Sequence, residues 1–308
     1  MHKSSQRRAY GETLLALCRE NRNIVVLDAD LGGSTMGKLV EQVLPEQHIE
    51  MGIAEANMAS VAGGLARVGK IPVINSFAVF AGGRAYDQIR QSLAIGKLNV
   101  KICGSSAGVS DFGDGATHQS IDDLAYMRVI PNMTVLVPAD AREAAAMTEY
   151  MAKTPGLMYL RVNRNDVPDL FDESYRFVPG QYPVMREGSD VCVFACGITV
   201  SLALAAAETL AGKVSVRVVN INQLKPMNPE TIAALCAGCR SVVTAEEHSV
   251  IGGLGGAIAE SLSRTRMPVT ILGVQDRFGS SAHSYEDALA YVGITQEKIE
   301  EAILESIQ

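Results

Sequence analysis

Three groups of residues in this 308-residue sequence carry side chains suited to chemistry. The first is a single carboxylate, Glu55, in the run Ile49-Glu-Met-Gly-Ile-Ala-Glu-Ala-Asn57, where a short apolar strand gives way at Gly52 to an Ala-rich helix. No basic residue stands beside it in sequence. A carboxylate in a first helical turn either favours the helix dipole or serves as a proton-sharing group. The second group is the loop of residues 105–119, Ser105-Ser-Ala-Gly-Val-Ser-Asp-Phe-Gly-Asp-Gly-Ala-Thr-His-Gln119. A loop of that length in a compact domain is usually functional, and it sets Asp111, Asp114 and His118 beyond a strand's carboxyl end. Asp114 and His118 can bind hydroxyls or move protons, or else stabilise a turn and cap the next helix. The third group is Arg7, Arg84 and Arg161. Each can fork onto phosphate or carboxylate, and together they make an anion clamp if the fold converges them.

Two further motifs point to packing. Gly252-Gly-Leu-Gly-Gly256 lacks phosphate-loop spacing and follows Glu246-Glu247-His248, so it predicts a helix packed tightly on a sheet. Cys236-Ala-Gly-Cys239 has CxxC spacing, but no second pair completes a zinc site. Cys192 and Cys196 lie inside an apolar strand-like run, which predicts reduced, packed thiols. No metal site is expected within this chain.

The elements that must position these groups alternate. After a helix over residues 8–19, the strand Ile24-Val25-Val26-Leu27 opens into Asp28-Ala-Asp-Leu-Gly-Gly-Ser-Thr35, a strand end suited to a ligand. Met58, Val61 and Leu65 follow Glu55 at helical spacing. Residues 71–80 form another buried strand, with Gly82-Gly83 leading into a helix. Residues 99–103 form the strand before the long loop. A helix from about residue 120, a strand over 134–137, a helix over 140–153 and a strand over 157–162 complete the unit. Residues 163–189 break the rhythm with Pro168, Pro179, Gly180, Pro183 and Gly188, after which strands and helices alternate again. The pattern implies an α/β fold of two parallel-type domains: residues 1–170, a linker over 171–188, and residues 189–308.

The bulk properties agree. An apolar fraction of 47% with 20% charged residues describes a chain able to bury a large core. A formal net charge of −7 argues against general affinity for nucleic acid or anionic membrane. No apolar run approaches the ~20 residues of a membrane span, and no signal-peptide core follows the basic start, so a cytoplasmic location is expected.

Glu50-Met-Gly-Ile-Ala-Glu-Ala-Asn57, Ser76-Phe-Ala-Val-Phe80 with Arg84-Ala-Tyr-Asp-Gln88, Gly113-Asp-Gly-Ala-Thr-His-Gln119, and Ile130-Pro-Asn-Met-Thr-Val-Leu-Val-Pro-Ala-Asp140 together resemble the transketolase family of thiamine-diphosphate enzymes. The resemblance covers nearly the whole chain, in order, and matches only the family's carboxyl-terminal half: a pyrimidine-binding domain, then the transketolase C-terminal domain. Gly113-Asp114-Gly115 resembles the start of the diphosphate-and-magnesium motif, but that motif needs an Asn about 25 to 30 residues on to complete an octahedral oxygen site. Asn132 stands too close, so the motif is absent. The resemblance therefore implies one subunit of a split transketolase. An N-terminal, diphosphate-binding partner subunit would share the thiamine diphosphate and bind Mg2+ or Ca2+, in an α2β2 heterotetramer.

By the same resemblance, Glu55 hydrogen-bonds the cofactor's pyrimidine nitrogen, Phe80 stacks on that ring, Phe77 lines the same wall and Asp30 lies near it. Glu55 and His118 are the expected catalytic residues. Arg7, Ser34, Asp114, His118 and Arg161 match the family's sugar-binding residues, with Asp114 and His118 on hydroxyls and Arg7, Ser34 and Arg161 on the terminal anion. Ser106 stands where the family usually has a histidine, which admits a branched or sulfonated sugar. The implied activity is transfer of a two-carbon ketol unit from a ketose phosphate, or a modified sugar, to an aldose. A deoxyxylulose-phosphate-synthase-like subunit, a 2-oxoacid dehydrogenase E1 β-like subunit and a non-catalytic partner are the alternatives. Arg7, Ser34 and Arg161 with Asp114 and His118 favour transketolase over the first two, and intact Glu55 and Phe80 argue against the third.

Overall fold

The computed structural model describes residues 2–308. Its strands, in chain order, are β1 (Lys3–Ser5), β2 (Ile24–Asp28), β3 (His48–Glu50), β4 (Ile71–Phe77), β5 (Lys101–Ser105), β6 (Met133–Leu136), β7 (Leu157–Arg161), β8 (Asp166–Pro168), β9 (Val184–Arg186), β10 (Val191–Ala195), β11 (Val216–Asn220), β12 (Gln223–Lys225), β13 (Ser241–Ser249) and β14 (Val269–Val274). The apolar runs of β2, β5, β7 and β10 are buried along their whole length. That is what a sheet covered by helices on both faces demands.

The first sheet has seven strands in the order β12-β6-β7-β5-β4-β2-β3. All its pairs are parallel except β12–β6. The chain passes from β2 to β3 on one side and then returns to β4 on the other, so the topology reverses at β2/β4. In an open α/β sheet the crevice beyond the strand ends at such a point is the natural ligand site. The second sheet runs β14-β13-β10-β11-β9, with only β9 antiparallel.

Two elements depart from the sequence expectation. Part of the predicted linker is structured: β9 joins the second sheet, and the backbone N–H groups of Leu170 and Phe171 both donate to Asp140 Oδ2 at 2.8 Å. Tyr175 donates to the buried carboxylate of Glu143, which also accepts from Asn220 and Asn222. Proline and glycine marked a change of direction there, and a packed strap satisfies it as well as a loose one. The helix expected after Gly82-Gly83 instead begins at once after β4, as a widened π-helical stretch over Val79–Arg84. Such widened turns recur at functional sites, and this one presents Phe80 and Arg84 at the strand end.

β12 belongs to the second half of the chain yet hydrogen-bonds to β6 of the first sheet. The core is likewise continuous: Leu124, Met127 and Ile130 share one buried cluster with Leu224, Ile258 and Leu262.

Candidate active site

A cleft of ≈290 Å³ opens at the β2/β4 switch point, lined by Asp30, Leu31, Ile53, Glu55, Phe80, Arg84 and His118 among others. Each wall comes from the carboxyl end of a different strand. Asp30 follows β2 in the left-handed region (φ 57°), where Asp is one of the few tolerated side chains. Its N–H and that of Gly52 both donate to Glu50 Oε1, at 2.9 and 2.8 Å, which ties the β2 and β3 loops together. Glu55 opens the helix Glu55–Arg67 and is only 3% exposed.

The sequence offered Glu55 no basic neighbour, but the fold supplies one. Arg84 Nη1 lies 3.2 and 3.4 Å from its two carboxylate oxygens. The same guanidinium carbon stands 4.1 Å from the Phe80 ring centroid. A planar group thus lies on Phe80 while donating N–H to Glu55, the two contacts a flat nitrogen heterocycle would make in this cleft. Phe77, the last residue of β4, is buried and its ring is nearly parallel to that of Phe80, centroids 6.1 Å apart at 15°. His118 meets both rings edge-on, 5.2 Å from Phe80 and 6.2 Å from Phe77. Asp114 is exposed on the same loop.

Of the expected anion clamp, Arg7 is near the site but Arg161 is not. Arg7 Nη1 donates to the Ser34 carbonyl at 2.8 Å, and its Nε is buried without a partner. Burial lowers the Arg7 pKa, and the nearby charge of Arg164 lowers it further, against Asp166 and Asp111. Arg161 requires a correction. It is 6% exposed and turned into the junction between the domains, where Nε donates to Asp123 Oδ2 at 2.8 Å and Nη2 to the Glu247 and Ser120 carbonyls. Burial opposes its charge, but Asp123 and Glu247 outweigh that and raise its pKa. With those bonds made, it has no fork to offer an anion. The sequence reading passed over Arg164, three residues on. Its guanidinium stands 5.5 Å from the Phe77 ring centroid, pairs with Asp111 at 2.7 Å and faces Arg7. β7 ends at Arg161, and Arg164 lies in the bend beyond it, where strand alternation no longer fixes the direction of a side chain.

Ser106 is fully buried in the left-handed region (φ 52°), and its hydroxyl has no partner, like that of neighbouring Ser105. The Gly252–Gly256 run packs as expected. Glu246 accepts from the N–H groups of Leu254 and Gly255 at the start of the helix Leu254–Ser261, and a Cβ on Gly255 would meet Ile271 at 2.3 Å. A protein carboxylate occupies the place a phosphate would take. Among the described residues, no three His, Cys, Asp or Glu side chains are arranged to hold a metal ion.

Buried carboxylate, aromatic wall and imidazole thus meet in one cleft at the switch point of the first α/β sheet. Residues 2–169 match the transketolase pyrimidine-binding domain, and residues 180–299 match the transketolase C-terminal domain. The chain belongs to the transketolase family of thiamine-diphosphate-dependent enzymes. It is 41% identical over 275 residues to the 6-deoxy-6-sulfo-D-fructose transketolase subunit SqwH of Clostridium sp. (strain MSTE9), covering 89% of this chain and 85% of that protein. It is 35% identical to an apulose-4-phosphate transketolase subunit of Phocaeicola vulgatus, covering 98% of this chain and 97% of that protein. A solved structure described as a split gene transketolase, inactive beta4 tetramer, superimposes with a TM-score of 0.89 at 44% identity, covering 99% of both chains. Among the described residues no helix is long and apolar enough to cross a membrane.

Proposed function

We propose that this chain is the C-terminal, pyrimidine-binding subunit of a split transketolase, transferring a two-carbon ketol unit from a ketose phosphate, or a modified or sulfonated sugar, to an aldose. The observation that carries the reading is the buried Glu55 carboxylate bonded to the Arg84 guanidinium that lies on the Phe80 ring, with His118 edge-on from the loop of residues 105–119. Thiamine diphosphate, when bound, supplies the electron sink that takes up the pair from the broken carbon–carbon bond. This chain's residues hold its pyrimidine end: Phe80 offers the stacking face, and Glu55 holds a proton at the ring nitrogen as the guanidinium of Arg84 gives way. Phe77 keeps water from the back of the site, and Asp30 borders its open side. Asp114 and His118 orient donor hydroxyls, and His118 moves protons at the reacting carbon's oxygen. Ser34, Arg7 and Arg164 hold the donor's terminal anion, with Ser106 beneath it.

The cofactor's diphosphate end and its Mg2+ fall to a partner subunit, in an α2β2 assembly. Support comes from the missing Asn of the Gly113-Asp114-Gly115 motif and from near full-length matches to proteins named as single transketolase subunits. The sugars in those names make a modified or branched donor the first to screen. Six buried, unpaired thiols fit a reducing cytoplasm.

The test is co-purification with the diphosphate-binding subunit, followed by a donor screen with thiamine diphosphate and Mg2+. Ketol transfer should appear only in the mixture and fall at least about 100-fold in Glu55→Ala. Undiminished turnover by Glu55→Ala overturns the reading.

A further inference from the structure

The loop that carries Asp114 and His118 is held by a residue outside the cleft. Gln119 is 5% exposed, and its Nε2 donates to two carbonyls: Asp111 at 3.2 Å and Ser280 at 3.1 Å. Both partners only accept, so the amide nitrogen must face them, and both of its hydrogens are used. The first bond closes the neck of the loop, with residues 112–118 as the arc between. The second reaches the other domain, in the segment after β14.

That segment fits the arc closely. Gly279 has no side chain where a Cβ would lie 1.9 Å from Gln119 Oε1. Ala282 N–H donates to the Phe112 carbonyl at 2.9 Å. Gly115 sits at φ +74°, and a Cβ there would lie 2.4 Å from Ser281 Oγ. Inside the arc, Gly115 N–H donates to the Asp111 carbonyl, and His118 and Gln119 N–H groups donate to that of Gly115. The polar end of the site is thus shaped by contacts from the second domain, none of which reaches the cleft.

We propose that Gln119 is a positioning residue through which residues 279–282 of the second domain set the placement of Asp114 and His118. The proposal rests on the ketol-transfer reading for its consequence, and assigns the second domain a part in donor geometry.

Amide hydrogen exchange of the isolated chain tests the clamp without reference to activity. In Gln119→Ala and in Gly279→Ala, the amides of residues 112–119 should exchange at least about tenfold faster, the loss of one or two net hydrogen bonds, while β4 and β10 keep their protection. Gln119→Glu keeps the shape but replaces the donor by an acceptor, and should behave as Gln119→Ala. In the enzyme reconstituted with its diphosphate-binding subunit, thiamine diphosphate and Mg2+, these variants should raise KM for a ketose phosphate donor. The cofactor concentration giving half-maximal activity should stay unchanged. Wild-type exchange over residues 112–119 in both Gln119→Ala and Gly279→Ala overturns the proposal, as does wild-type KM in all three variants. Should Gln119→Ala lose protection throughout, Gly279→Ala decides. If wild-type protein shows no ketol transfer while the exchange pattern is as described, the functional reading fails and the clamp stands.

Discussion

Arg161 and Arg164 lie three residues apart and have opposite surroundings, so substituting each separates binding from stability. Arg164→Ala removes a half-buried guanidinium that pairs with the buried Asp111 and faces Arg7. It should raise KM for an anionic donor about tenfold or more. It also deprives the buried Asp111 of its cation, but Arg164 itself is 31% exposed, so the drop in Tm should be smaller than for Arg161→Ala. Arg161→Ala leaves Asp123 buried without its partner, which costs roughly 3–5 kcal/mol and should appear as a large drop in Tm of the isolated chain. Equal Tm values for the two variants would show that the assignment is mistaken. Position 106 offers a second comparison. Histidine tolerates the left-handed backbone better than most residues, and the buried hydroxyl of Ser106 has no partner to lose. Ser106→His should therefore raise kcat/KM on xylulose 5-phosphate, and the absence of any gain would count against a role for this position in donor choice. Residue type and spacing singled out Glu55 and His118, and the family resemblance added Phe80 and Asp30; all four line one cleft. Neither could separate Arg161, at the end of β7, from Arg164 in the bend beyond it, because their difference lies in what surrounds them.

At the level of elements, strand–helix alternation was legible because buried parallel strands read as apolar runs and helices repeat every three or four residues. The widening of the helix after β4 was not, since it is set by tertiary contact. Tyr126 donates to the Ala78 carbonyl at 3.2 Å, and Gly82 lies against its ring. A Cβ on Gly82 would sit 2.4 Å from Tyr126 Cε2 and 2.9 Å from Met127, whereas a Cβ on Gly83 meets nothing within 4 Å. Gly82→Ala should accordingly destabilise the chain by about 1–3 kcal/mol through overpacking and displace Phe80. Gly83→Ala, in the same helical stretch, should be neutral or stabilising by about 0.4–1 kcal/mol. Denaturant unfolding of the two variants checks the pair; a neutral Gly82→Ala would mean that the helix can shift away from Tyr126 at no cost. The packed strap was hidden for a related reason. Its proline and glycine content says where regular structure stops, but its hydrogen bonds go to Asp140 and Glu143, distant in sequence.

For the molecule as a whole, two domains were legible but their junction was not, because it is built from charges that look superficial in sequence. Glu247 Oε1 accepts from Val109 N–H at 2.8 Å, Arg161 donates to the Glu247 carbonyl, and Glu246 lies against the helix start at Leu254. Burial pushes both carboxyls up from 4.5 to about 7, Arg161 opposing the shift in each. Between pH ~4.5 and ~7 the folded chain keeps protons that the unfolded chain has released. Their contribution to stability is thus full below the unfolded pKa and is lost as pH rises through about 7. His48, raised by its hydrogen bond to Asp28, adds a slope of the same sign, while His248, lowered by burial, adds the opposite one. The Glu247 contribution is therefore isolated by difference. Glu247→Gln keeps an oxygen for Val109 and cannot titrate, so its Tm should fall less than that of wild type between pH 5 and pH 8. Because β12 and the shared core tie the domains together, the loss should lower one cooperative transition rather than release one domain. Calorimetry across that pH range reads both outcomes: parallel Tm curves for wild type and Glu247→Gln would remove Glu247 as a cause, and two resolved transitions would show that the junction does not couple the domains.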